Sequence, residues 1–156
     1  MNLHERFMHK AIALSIENVK KGGGPFGAVI VKDGEIIATG VNKVTLNNDP
    51  TAHAEITAIR KASKKLKTFN LSGCVIYTSC EPCPMCLGAI YWAHLDTIYY
   101  GNSKNDAHQI GFDDSFIYNE LELKSEVRKL KSVQMMSTDA SKAFRMWTEK
   151  TDKTIY

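Results

Sequence analysis

Apolar residues recur at helical spacing between residues 4 and 20, where Phe7, Ile12, Leu14, Ile16 and Val19 alternate with charged and polar positions. Gly22-Gly23-Gly24 ends that pattern. Two short apolar runs follow, FGAVIV at 26–31 and EIIATGV at 35–41, and Asp33-Gly34 between them predicts a hairpin turn. Residues 43–51 are a polar loop ending in Asp49-Pro50-Thr51, after which HAEITAIRKASKKL at 53–66 predicts a helix with Ile56, Ile59 and Leu66 on one side. CVIYTS at 74–79 is β-branched and continuous, as a strand buried on both faces should be. A helix over 84–93 and a strand at DTIYY, 96–100, complete a βαβ unit with parallel strands and a right-handed crossover. After a polar loop at 101–112 the pattern predicts a short helix over DDSFIYNEL (113–121), a strand at KSVQMM (131–136) and a helix over ASKAFRMWTEK (140–150).

The elements predict an α/β fold: a mixed, mostly parallel sheet of five strands that begins with a hairpin and carries helices on both faces. In such sheets ligands sit beyond the carboxyl ends of strands. A length of 156 residues suits one domain, spanning 1–156. The net charge of +3 is too small to argue for nucleic-acid binding by itself. The N-terminal stretch mixes charged with apolar residues, unlike a signal peptide, and no run approaches the ~18 apolar residues of a membrane span. Three of the four cysteines fall within TSCEPCPMCLGA at 78–89, which is no disulfide framework. Clustered thiols point instead to metal or redox chemistry in a reducing cytoplasm.

Pro84 belongs at the first position of its helix, where a missing N–H costs nothing. Cys83 then falls at the cap and Cys86 in the first turn, so their sulfurs can converge at a helix N-terminus that favours thiolates. Two thiolates invite zinc, and His53 in PTAHAE (50–55) is the candidate third ligand. In mid-helix, residues two apart point roughly 200° from each other, so His53 and Glu55 could not face one ligand unless the metal lay off the helix end. Two sulfurs and one imidazole leave a fourth tetrahedral position open, as in catalytic zinc, with Glu55 beside it to handle protons. Structural zinc with Cys80 as fourth ligand and a redox-active C-x-x-C are the competing readings. Cys74, inside an apolar strand, reads as a buried small hydrophobe.

PTAHAE at 50–55 with EPCPMC at 81–86 resembles the cytidine-deaminase-like superfamily of zinc deaminases, whose signature is H-x-E followed by P-C-x-x-C. The resemblance implies a three-layer α/β/α fold, one zinc ion per subunit and hydrolytic deamination, with Glu55 moving protons between water, ring nitrogen and departing amine. GFDDSFIY at 111–118, IYWA at 90–93 and the terminal Tyr156 further resemble the bacterial guanine deaminase branch. That likeness implies guanine as substrate and xanthine and ammonia as products, in purine catabolism or salvage. It implies substrate contacts from Asp114, which would also shuttle protons, and from Asn42, Phe26, Ala54 and Trp92. It implies a homodimer that exchanges its C-terminal segments (about 136–156), so that Tyr156 enters the partner's site.

Chemistry supports those roles: a carboxylate accepts the adjacent ring N–H and amine of guanine, an Asn gives and takes on the opposite edge, and aromatic rings wall a flat purine. The competing reading of Asp113 and Asp114 is helix capping. For Tyr91 and Trp92 it is core packing, for Phe144 and Trp147 the apolar face of the last helix, and for His4, His9, His94 and His108 the surface. A tRNA adenosine deaminase or a purine nucleoside deaminase shares the zinc motif. The C-terminal cations Lys142, Arg145, Lys150 and Lys153 are interleaved with Asp139, Glu149 and Asp152, which is a solvated mixed face more than a phosphate track. A non-catalytic zinc module would have no use for Glu55.

Overall fold

The computed structural model describes residues 2–156, which divide into two compact units, one up to Ser115 and the other Phe116–Tyr156. In the first, strand β1 (Gly27–Lys32) pairs antiparallel with β2 (Glu35–Val41) through the Asp33-Gly34 turn, where both residues take positive φ. β1 also pairs antiparallel with β3 (Cys74–Cys80), and β3 pairs parallel with β4 (Thr97–Asn102). The sheet has four strands in the order β2-β1-β3-β4.

The sheet is therefore mixed, not mostly parallel. β1 is turned over between two strands that run the other way, because a two-residue hairpin can only reverse the chain. The expected fifth strand at 131–136 does not form: the segment belongs to the second unit and pairs with nothing in the sheet. Val133 and Met135 alternate with polar residues as in a strand, but all six residues are exposed, so no buried face fixes a pairing register.

Strand alternation divides the core into two layers. Ala28, Ile30, Cys74 and Ile76 face one way, against helix α3 (Ala54–Leu66) and helix α4 (Pro84–Trp92). Val29, Val31 and Tyr77 face the other, against helix α1 (Leu3–Lys20). Helices thus cover both faces, as expected, and Cys74 is fully buried.

The phase of α1 differs from the sequence expectation. Its buried stripe is Phe7, Ala11, Ser15 and Asn18, while Ile12, Ile16 and Val19 are exposed. Small residues win the inner face because the helix lies directly on β1. A Cβ on Gly27 would meet the backbone of Ala11 and come within 2.8 Å of the Ser15 amide nitrogen. Tyr91 and Trp92 likewise leave the core, at 75% and 68% exposure, while Ile90 and Ala93 beside them are buried. The loops at 43–51 and 101–112 contain two unforeseen short helices, α2 (Val44–Asn47) and α5 (Lys104–Gln109). His4 does more than lie on the surface: its Nδ1 is 2.7 Å from the Tyr77 hydroxyl, and its ring stands over Tyr99.

The second unit holds α6 (Ser115–Glu122), a 3-10 turn at Ser125–Val127 and α7 (Ser137–Glu149). The Arg128 guanidinium donates to the carbonyls of Glu120 and Leu123, and the Glu120 carboxylate accepts from the Lys129 amide at 2.7 Å. No residue of α6 or α7 is buried, so Phe144 and Trp147 form an apolar face that the chain leaves exposed. Among the described residues no helix is long and apolar enough to cross a membrane.

Candidate active site and metal centre

The register places the site. Gly27, at the start of β1, pairs with Val41 at the end of β2, and Cys80, at the end of β3, lies opposite Asn102 at the end of β4. Phe26, Asn42, Cys80 and Asn102 therefore share one edge of the sheet. Helices α3 and α4 each present a candidate metal donor at the N-cap. His53 caps α3 with φ −68° and ψ 159°, and Cys83 caps α4 with φ −68° and ψ 168°. Both caps are extended, not helical. This removes the difficulty of placing His53 beside Glu55: the cap precedes the helical spacing, so the two side chains are not held half a turn apart. Pro84 occupies the first helical position, as its chemistry favours.

His53 Nδ1 lies 3.5 Å from both Cys83 Sγ and Cys86 Sγ, and the three donor atoms are all within 4.8 Å of one another. A tetrahedral zinc with ordinary Zn–S and Zn–N bonds sets its sulfur and nitrogen donors about 3.5 Å apart. One imidazole and two thiols at that spacing fit zinc, and no fourth protein donor joins them among the described residues. Cys80 stands outside the cluster. Burial and the neighbouring Glu55 and Asp114 carboxylates push its thiol up to about 11, and its sulfur faces the Ser103 carbonyl at 3.6 Å. The structural-zinc reading with Cys80 as fourth ligand is not supported.

The neighbouring Cys86 thiol and, after it, His53 together lower the Cys83 thiol to about 4 against the cost of burial. Cys86, beside that sulfur in a buried position, moves upward. One thiolate therefore stands ready at neutral pH, next to an imidazole whose pKa that same contact raises.

Glu55 follows His53 by two residues and is 8% exposed. Burial raises its carboxyl above the usual range, the Cys83 charge adds to this, and a contact with the Cys86 thiol and the charge of His53 oppose it. An acid so placed, beside the donors but outside them and with its affinity for a proton raised, is suited to proton transfer. Ala54 between them is buried.

Asp113 and Asp114 divide their roles. Asp113 accepts from the Ser115 amide at 3.0 Å and from its hydroxyl, and lies 3.3 Å from His108, so it makes the turn. Asp114 points inward: its Oδ1 is buried and has no hydrogen-bond partner. Burial raises its carboxyl, as do the charges of Cys83 and Glu81, which places it within electrostatic reach of the donor cluster. Asn42, 7% exposed, has its Oδ1 held by the Val44 amide at 3.2 Å. Phe26 meets Phe112 edge-to-face, with centroids 4.9 Å apart.

Sequence reasoning overlooked three supporting residues. Asn18 donates from Nδ2 to the carbonyls of Gly24 and Asn42, at 2.8 and 2.7 Å, and so holds the strand ends that present Phe26 and Asn42. A buried amide on the small-residue face of α1 was the signal. Phe112, two residues before Asp114, was visible within GFDD as an aromatic outside any helical stripe. Glu81 carried only the signal of an acid directly after a buried strand.

Sulfur and nitrogen donors at two helix starts, with an unliganded acid between them, define a hydrolytic zinc site of the deaminase class. Residues 1–102 match the cytidine and deoxycytidylate deaminase zinc-binding region, and the chain belongs to that family. The chain is 53% identical over 154 residues to the guanine deaminase of Bacillus subtilis, covering 98% of this chain and 99% of that one. The crystal structure of guanine deaminase from Bacillus subtilis superposes with a TM-score of 0.96 at 54% identity, covering 100% of this chain and 99% of the other. A guanine deaminase from Nitrosomonas europaea gives 0.67 at 36% identity, covering 69% of this chain and 63% of that one. The tRNA-specific adenosine deaminase of Haemophilus influenzae is 36% identical over 140 residues, which is 86% of this chain and 81% of its own.

Proposed function

We propose that the chain hydrolyses guanine to xanthine and ammonia, with His53, Cys83 and Cys86 as zinc ligands and Glu55 and Asp114 as catalytic acids. The observation that carries this reading is the buried, unpartnered Oδ1 of Asp114 beside the donor cluster. A buried acceptor without a donor is costly, and guanine offers two donors on one edge, its ring N–H and its exocyclic amine. Likeness to the Bacillus guanine deaminase over nearly the whole length of both chains supports the same substrate.

The metal, when bound, supplies a nucleophilic hydroxide at neutral pH. Glu55 carries both protons of the attacking water in turn, the first to the ring nitrogen and the second, left on the new oxygen after attack, to the amine. The oxygen bonds to the ring carbon that carries the amine, the C–N bond breaks, and ammonia leaves. Asp114 orients the base through its two donors and can relay a proton to the amine. Asn42 binds the opposite edge, its amide oriented by Val44, and Ala54 lines the floor with its backbone. Phe26 walls one face of the ring and Trp92 helps close the pocket.

We further propose a cytoplasmic homodimer that exchanges its C-terminal segments, with Tyr156 entering the site of the second copy. The exposed apolar face of α7 supports this, as do four cysteines without a disulfide among them. The testing experiment is ammonia release from guanine, guanosine, adenine, cytosine and a tRNA anticodon stem. Guanine is expected to be turned over far faster than the rest. Preferential release from the RNA stem would replace this reading with that of an RNA-editing deaminase.

A further inference from the structure

We infer that Glu81 is a positioning residue, one that fixes Asp114 relative to the metal centre by clamping the start of α5 to the strand that ends at the zinc cysteines. The inference rests on the reading of Asp114 as a substrate-binding acid.

Glu81 sits between β3 and Cys83 and holds the same short segment from two sides. Its own amide donates to the Asn102 carbonyl at 2.8 Å, and its Oε2 accepts from the Lys104 amide at 3.0 Å. The preceding residue adds a third point, since Cys80 Sγ faces the Ser103 carbonyl at 3.6 Å. The Lys104 amide is an orphan donor of the first helical turn. The capping box of Ser103 and Asp106 satisfies the Asp106 and Ser103 amides and leaves that of Lys104 to Glu81.

From that clamp onward the chain braces itself up to Asp114. The Phe112 amide donates to the Ala107 carbonyl at 3.0 Å and the Gly111 amide to the His108 carbonyl at 3.0 Å, with Gly111 at φ +93° making the turn. His108 then meets Asp113. Residues 103–113 therefore carry Asp114 as a braced arm. The described bonds that tie the root of this arm to the ligand-bearing stretch run through Cys80 and Glu81. A shift at the root is transmitted to the Asp114 carboxylate and to Phe112 against Phe26. Misplacing a substrate-orienting group by about 1 Å costs on the order of 100-fold in rate.

The test uses the zinc-loaded enzyme with guanine. Glu81→Ala is expected to lower kcat about 10- to 100-fold with zinc content unchanged. Glu81→Gln, which keeps an oxygen acceptor at the same reach, should restore most of the rate. Glu81→Asp, one methylene shorter, should resemble Ala, and it decides the matter if the Ala variant does not fold. In an Asp114→Ala background, Glu81→Ala should cost little more, because its effect passes through Asp114. Full activity in both Glu81→Ala and Glu81→Asp overturns the inference, as do loss of zinc in either or fully additive losses in the double variant. Failure of the underlying reading shows up separately: Asp114→Ala alone, with Glu81 intact, would then keep full guanine activity.

Discussion

Gly40 of β2 lies against Ala54 at the start of α3 with no side chain between them. A Cβ on Gly40 would come within 2.7 Å of the Ala58 amide nitrogen and would collide with the Ala54 carbonyl. The close approach sets the height of α3 over the sheet, and with it the positions of His53 and Glu55. Gly40→Ala must push the helix away, and overpacking of this kind costs about 1–3 kcal/mol. For a chain of this size the melting temperature should fall by about 3–10 °C. Guanine turnover should fall more than that stability loss alone would explain. A variant with unchanged melting and unchanged kcat would show that the approach constrains nothing.

Metal dependence separates the cysteines. Cys83→Ser, Cys86→Ser and His53→Ala should each lose stoichiometric zinc and nearly all activity, whereas Cys80→Ser should retain the metal. Chelation should inactivate the parent enzyme, and zinc added back should restore both activity and stability. Free zinc at 100 times its dissociation constant should stabilise the fold by about 2.7 kcal/mol. Zinc analysis of the four variants decides it: a Cys80→Ser protein as metal-poor as Cys83→Ser would make Cys80 a ligand.

Much of this site was legible in the chain because its chemistry is local. Cys83, Pro84 and Cys86 lie within one cap and one turn, and so do His53 and Glu55, so turn and cap rules alone bring each group together. The hairpin was legible from Asp33-Gly34 for the same reason. What depends on partners distant in sequence was not. The inner face of α1 is set by Gly27, a residue outside the helix that demands small side chains there, and the larger apolar residues Ile12, Ile16 and Val19 are left outside. The strand expected at 131–136 does not form because a short alternation such as Ser132-Val133-Gln134-Met135 carries no information about what it will pair with. Glu81 and Lys104 are 23 residues apart, and only the parallel pairing of β3 with β4 brings them together.

Glu55 should make stability depend on pH in a definite direction. Burial raises its carboxyl above the ordinary value of 4.5. A raised carboxyl favours the fold while it is protonated. That contribution is complete below the unfolded-state pKa and is lost as pH rises through the folded-state value. Glu55→Gln stays neutral throughout. In chelator-treated protein it should therefore melt above the parent at pH 7–8, and the difference should vanish towards acid. The same variant, zinc-loaded, should lose about 100- to 10,000-fold in guanine turnover through loss of the proton carrier. Melting curves across pH check the first half, and a difference that is constant or reversed at neutral pH would sink the assignment of a buried, neutral-leaning acid.

The exchange of C-terminal segments predicts complementation between two inactive proteins. Deleting Tyr156 should cripple guanine turnover if that ring closes a pocket, and Glu55→Ala should abolish it at the proton carrier. In a mixed dimer, the site on the truncated chain keeps its own Glu55 and receives Tyr156 from the Glu55→Ala chain. Refolding the two variants together should therefore restore activity that neither has alone, and the restored fraction should follow the statistical share of mixed dimers. A tail that folds back on its own subunit leaves every site in the mixture defective, because each chain then carries one lesion in its own pocket. Ammonia release from the mixture, beside sizing of the same sample, decides between the two arrangements. Dimers that form freely yet stay inactive would rule the exchange out.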